Sequence, residues 1–378
     1  MMPSSSVAGR SRRARSLGLE QAVKATNGVL VAVALVVALI FPFIVDEGLV
    51  GVGFVAILYA YRNFTWNIAG GFAGLLSMAH GAAFGIGAFA VGVVTWTHGW
   101  NAWLGLLAGV VAAALLGLVV SLLMSRFGVV NPFFFALSTL AVTLIFAGIA
   151  ASWDVLGSAN GLRYLGVEDG FAHLQWFLDP RPFYYLTLAF LVLVTVGVAA
   201  MMKYTKFGRS LPFIREDPVM AASMGISVVR NQAYVMALSM GLTAVAGTLL
   251  AQYVQFASYE SVLNLEIAIA MMVGSIIGGA GTLAGPIVAG IGIAALEEFL
   301  RGFEVSSTNV SSYTQIAYGV LVILLLRFGT DGIVPLWNAG LRRLFSRLGP
   351  RRPDEDDRPA PSVHSEDAGL LSSQAGSV

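Results

Sequence analysis

Long apolar stretches dominate the chain, separated by short polar connections. Ten are long enough, or nearly so, to cross a hydrocarbon core of about 30 Å at about 1.5 Å per helical residue. They lie near 28–45, 48–68, 72–95, 102–124, 133–151, 183–202, 231–255, 262–280, 283–300 and 313–328. The pattern predicts an all-α polytopic membrane protein with about ten transmembrane helices. Residues 1–27 form a basic leading tail, 28–330 the membrane domain, and 331–378 a Pro-, Asp- and Ser-rich tail expected to be disordered.

One polar segment stands out. Lys203 to Arg230 reads KYTKFGRSLPFIREDPVMAASMGISVVR, with five basic residues against two acidic ones. Pro212 and Pro218 are expected to break it into short pieces. Pro218 suits the first turn of a short helix ending near Gly225. Glu216 and Asp217 precede that helix, where negative charge favours its positive end. Such a helix exposes Val219, Met220 and Met224 among small alanines. Two readings stay open: a face that docks into a partner's groove, or an amphipathic helix lying in the lipid headgroups.

Basic residues orient the chain, because cytoplasmic loops collect Lys and Arg. With the N-terminus inside, the segment 203–230 falls inside, as do Arg126, Arg327 and the cluster Arg342, Arg343, Arg347, Arg351 and Arg352. Of 22 Lys and Arg, Arg163, Arg181 and Arg301 fall outside and Arg62 lies within a span, leaving 18 inside. Both termini are therefore expected in the cytoplasm. No small-residue cleavage site follows the first apolar run, so a cleaved signal peptide is not expected.

Composition narrows the chemistry. Hydrophobic residues make up 57% and charged residues 11%, against about 25% charged in soluble proteins. Cysteine is absent, which excludes disulfides and thiolate chemistry. The four histidines share no metal-ligand spacing. None of the three lysines follows a glycine, so the chain has no Gly-Lys-Ser/Thr phosphate loop. No cofactor is expected on this chain, and any ATP it uses must be bound by another subunit.

Glycine is abundant, at 43 residues. Two regions are punctuated by it, Asn67 to Phe89 and Met272 to Gly292, at roughly matching places in a five-plus-five division. Gly81, Gly85, Gly274, Gly278, Gly279, Gly281 and Gly285 serve close helix packing or mark interrupted helices along a transport path. Glu266 is an acid at the fifth residue of the eighth stretch, a functional candidate or an acid near the outer mouth. Ser77 and His80, three apart, share a helical face and could line a polar path with Asn67. Alternatively they bond neighbouring backbone where glycines disturb the helix. The Arg62 side chain is expected to snorkel to the headgroups.

The pieces FGRSLPFIREDPVMAASMGISVVR, IGGAGTLAGPIVAG (Ile277 to Gly290), GGFAGLLSMAHGAAFGIGAF (Gly70 to Phe89) and GSANGL (Gly157 to Leu162) occur in an order that resembles the LivM-type branch of the branched-chain amino acid ABC transporter permeases. The resemblance covers about 40–330 and implies the type II ABC importer permease architecture. It also implies a bacterial plasma-membrane subunit working with a second, different permease, two ATP-binding subunits that hold ATP and magnesium, and an extracellular solute-binding protein. No nucleic acid is involved, and lipid surrounds the helices. In such transporters an acidic-Ala-Ala-x-x-x-Gly loop docks on the ATPase. Val219, Met220, Ala221 and Gly225 occupy its positions here, without the acid and the first alanine. Arg209 and Arg215, with Glu216, Asp217 and Pro218, flank this docking site. The alternatives are a urea or short-amide permease, because related permeases carry these with similar motifs, and an ion-gradient-driven transporter.

Overall fold

A computed structural model describes residues 26–126, 132–163, 170–176, 179–301 and a few single positions between 319 and 341. The helices run α1 (Thr26–Ile44), α2 (Glu47–Asn67), α3 (His80–Gly92), α4 (Ala102–Arg126), α5 (Pro132–Ser152), α6 (Arg181–Tyr204), α7 (Lys206–Glu216), α8 (Pro218–Ser223), α9 (Val228–Val254), α10 (Tyr259–Val262), α11 (Leu265–Gly279) and α12 (Gly285–Arg301). Strands β1 (Leu162–Arg163) and β2 (Phe256–Ala257) form a short antiparallel pair. The tails and the tenth apolar stretch, 313–328, fall essentially outside the described residues.

Among the described residues, seven helices are long and apolar enough to cross a membrane. They are α1, α3 with its continuation to Thr97, α4, α5, α6, α9, and α10 with α11. Two further apolar stretches became the helices α2 and α12. α12 has only 17 residues. α2 has 21 residues and carries Arg62, Asn63 and Asn67 for a good reason: it packs against α6, α9, α11 and α12. Every residue from Ala60 to Ala73 is buried. A helix covered by protein on all sides need not present apolar side chains to lipid.

α4 shows how the bundle closes. Its small residues Gly105, Gly109, Ala113 and Gly117 are buried, while Leu104, Leu107, Val111, Leu115 and Val119 are exposed. Large side chains thus face outward and small ones inward, which lets backbones approach in lipid. A Cβ on Gly117 would stand 2.7 Å from the Met236 carbonyl oxygen of α9. Gly87 of α3 and Gly247 of α9 likewise press on the carbonyls of Ala244 and Phe84. α1 is almost wholly exposed. α6 holds it through Tyr184 Oη, which donates to the Ala38 carbonyl at 2.8 Å, and Tyr185 Oη, which donates to that of Leu39 at 3.1 Å.

Three expectations are corrected. The third stretch does not start a helix at 72: α2 ends in a π-turn, Ile68–Phe72, the chain runs unwound to Ala79, and α3 begins at His80. Pro212 does not break the polar segment but lies inside α7. Leu211 and Ile214, both buried, anchor the helix on either side of the ring. Arg62 does not snorkel outward. It is 6% exposed, and its guanidinium carbon lies 3.6 Å from the centre of the Tyr59 ring, because α2 has no lipid-facing side at this depth.

Candidate functional site

The site begins with α7 and α8. Thr205 caps α7, its hydroxyl accepting from Gly208 N at 2.9 Å. The chain turns at Asp217, whose carboxylate accepts from Val219 N at 2.8 Å and Met220 N at 3.0 Å. These are two donors that a helix start leaves unpaired. Two residues beyond the end of α8, Gly225 turns the chain in the left-handed region at φ +81°, and Ile226 N closes back on the Ala221 carbonyl at 3.1 Å. Val219 is 73% exposed, Met220 60% and Met224 56%. Ala221 is fully buried, so it roots the helix and offers no outer surface. Arg209 and Glu216 are exposed.

Arg215, the penultimate residue of α7, reaches into the bundle. Its Nη1 donates to the Gly71 carbonyl at 2.6 Å and to the Ala280 carbonyl at 3.1 Å. Gly71 lies in the break after α2, and Ala280 in the break after α11. Asn67 fastens the two breaks together. Its Nδ2 donates to the Thr282 carbonyl at 2.9 Å, and its Oδ1 accepts from Gly281 N at 2.8 Å. A Cβ on Gly71 would collide with Asn67 Oδ1, and one on Gly281 with the Arg215 guanidinium. The glycine-punctuated regions of the two halves therefore meet at one point beside α7. A cavity of about 320 Å³ opens there, lined by Gly74, Leu75, Met124, Arg215, Pro218 and Gln232 among others.

The unwound strap from Ala73 to Ala79 needs partners for its backbone, since hydrocarbon supplies none. Trp66 Nε1 donates to the Ser77 carbonyl at 2.8 Å. Met78 N donates to Thr139 Oγ1 at 3.0 Å, and the Met78 carbonyl accepts from Thr143 Oγ1 at 2.8 Å. Ser77 is buried on this strap and His80 at the start of α3, so the two do not share a helical face. The glycines stop the helix before Ser77. His80 Nε2 lies 2.7 Å from Ser239 Oγ, which donates to the Thr65 carbonyl at 2.6 Å. Thr243 Oγ1 donates to Thr65 Oγ1 at 3.0 Å. With the Ser239 proton given to Thr65, the imidazole Nε2 must donate to Ser239. His80 is thus one member of a buried polar chain linking α2, α3 and α9.

Of the two readings of Glu266, the structure fits the acid near the end of its span. It is the second residue of α11 and exposed, where an acid complements the positive helix end. The remaining glycines divide by role. Gly81 faces Thr143 and Ala268, Gly85 faces Leu263, Gly274 faces Asn63, and Gly278 and Gly285 face each other across α11 and α12. Gly279 and Gly281 supply left-handed turns at φ +117° and +81°. Trp66, Thr139, Thr143 and Ser239 escaped sequence reasoning. The available signal was a pair of threonines four apart in the largely apolar α5. Among the described residues no group of three or more His, Cys, Asp or Glu could hold a metal.

Residues 48–326 match the family model described as branched-chain amino acid transport system / permease component. The chain belongs to this family. Its relatives include the high-affinity branched-chain amino acid transport system permease proteins LivM of Salmonella typhimurium and Escherichia coli K12. Each is 26% identical over 82% of this chain and 75% of its own length. A probable branched-chain amino acid transport permease protein LivH of Methanocaldococcus jannaschii is 27% identical over 56% of this chain and 66% of its own. No solved structure matches. The part of this permease chain that carries the family likeness runs from the start of α2 past α12. It holds both helix breaks, the strap and the α7–α8 segment, with α1 lying before it.

Proposed function

We propose that this chain is one membrane subunit of an ATP-driven importer of branched-chain amino acids in a bacterial plasma membrane. It crosses the membrane about ten times with both termini in the cytoplasm. A second permease completes the path, two ATP-binding subunits supply ATP and magnesium, and an extracellular solute-binding protein delivers substrate. The observation that carries this reading is the exposed apolar face of α8, held by a cap and joined through Arg215 to both helix breaks. Such a face on a chain without a phosphate loop fits a partner that brings the energy.

The experiment is uptake of labelled leucine into liposomes by the assembled complex, with urea as competitor. ATP-dependent leucine uptake insensitive to urea is expected. Urea uptake, or leucine uptake driven by an ion gradient without the ATP-binding subunits, overturns the reading. Docking is tested by Met220→Asp with Met224→Asp. Both side chains point outward, so the chain keeps its fold while the ATP-binding subunits no longer co-purify. Retained co-purification and uptake would remove α8 from the interface.

A further inference from the structure

Three regions far apart in sequence converge on one guanidinium. Arg215 bonds the Gly71 carbonyl, 144 residues away, and the Ala280 carbonyl, 65 residues away. Each acceptor lies where a helix has just ended, so it lacks an intrahelical donor and carries the partial negative charge of a helix C-terminus. We infer that Arg215 is a positioning residue through which displacement of α7 and α8 reaches both helix breaks at once. This rests on the importer reading above.

The surroundings are shaped for that role. Gly74 and Gly281, both with φ near +80° (+74° and +81°), flank the arginine. A Cβ on Gly74 would lie 3.1 Å from Arg215 Cγ and 3.3 Å from its Cα, and one on Gly281 would strike Nη1. Glycine on both sides thus leaves the slot the side chain occupies. Asn67 locks the breaks to each other through Gly281 N and the Thr282 carbonyl, so a pull on one is a pull on both. On the other side, Asp217 caps α8 only two residues beyond Arg215. The path from the exposed Met220 to the breaks is therefore one cap, one turn of backbone and one guanidinium.

Arg215 is also a link that can be cut without collapsing the bundle. It is itself exposed, and the cavity of about 320 Å³ beside it leaves space between α8 and the strap. α7 stays anchored by Leu211 and Ile214 whatever stands at 215. A planar guanidinium presents a fork of donors, whereas lysine offers a single ammonium. Lysine should therefore restore only part of the effect.

The test uses the complete transporter in liposomes. Because this chain has no cysteine, Leu283→Cys gives it a single thiol next to the second break. In that background the labelling rate should change when ATP and vanadate trap the complex. Arg215→Gln should abolish that change and lower leucine uptake per ATP about tenfold, the size expected for a lost charged hydrogen bond. Phosphate release should stay within about twofold of the parent, since the docking face is untouched. Arg215→Lys should fall between the two. The inference is overturned if uptake and phosphate release fall in parallel, if Arg215→Gln keeps the nucleotide-dependent labelling, or if the parent shows none. Should Arg215→Gln fail to assemble, Arg215→Lys decides alone, and parent-like coupling there overturns it. A parent complex that hydrolyses ATP without importing leucine sinks the substrate reading instead, and the thiol still reports the link.

Discussion

Asp217 shows how much one side chain does at the edge of the bundle. Its carboxylate receives two backbone donors at the start of α8, and α8 is only six residues long. So short a helix has few internal hydrogen bonds and depends on its cap. Asp217→Ala should destabilise α8 by about 1 kcal/mol, while Asp217→Asn keeps most of the cap. The expected outcome is faster proteolysis between Arg215 and Arg230 and weaker retention of the ATP-binding subunits, with the thermal midpoint of the detergent-purified chain unchanged. Equal proteolysis of the two variants and the parent would show that α8 is held by something other than its cap. The same scale explains the departure from the family's docking pattern. Met220 stands where the first alanine is expected, and its side chain points outward. Ala221, where alanine is kept, is the buried root of the helix.

At the scale of elements, the strap between α2 and α3 is the least self-sufficient piece of the membrane domain. Both polar groups of Met78 are met by one helix, through Thr139 and Thr143 of α5. Four residues apart, these threonines lie on one helical face. Replacing both with valine conserves shape but leaves the Met78 N–H without its partner, at about 1–3 kcal/mol, and leaves its carbonyl only the bond from Gly81 N at 3.3 Å. The double variant should melt earlier than either single variant, and a thiol at Leu76→Cys should label faster as the strap loosens. Unchanged melting would mean that other groups can take over. Trp66, which holds the Ser77 carbonyl, gives the strap a second point of attachment on α2, so the π-turn and the strap behave as one folded unit.

Across the whole molecule, burial is graded from the centre outward. α2, α3 and α9 form the inner layer, where Gly87 and Gly247 bring backbones into contact and the His80–Ser239–Thr65 chain crosses between helices. α1 sits outside this layer, held by two tyrosine hydroxyls and a ring stack. α7 and α8 project from one end. Local opening tracks the density of buried contacts. Amide hydrogen exchange should therefore be slowest in the second half of α2 and in α9, and fastest in α1 and α8. Slow exchange in α8 of the isolated chain would contradict an exposed segment awaiting a partner.

The residue order alone determined the membrane class, the short helix from Pro218 and its acidic start, because apolar run length and capping chemistry are local properties. The outward face of Val219, Met220 and Met224 was legible for the same reason. The central place of α2 was not, since an apolar run marks 48–68 as a span without saying whether lipid or protein surrounds it. Nor was the unwinding before His80, where three glycines and a tryptophan eleven residues before Ser77 outweigh a continuous apolar run. Which of its two readings Glu266 takes was not legible either, because the helix start at Leu265 depends on the Asn264 cap, whose side chain accepts from Ile267 N. Tertiary structure alone decided the meeting of Asn67, Gly71, Ala280, Gly281 and Arg215. Their hydrogen bonds join positions up to 215 residues apart, and only the packing of α2, α7 and α11 brings such positions within bonding distance.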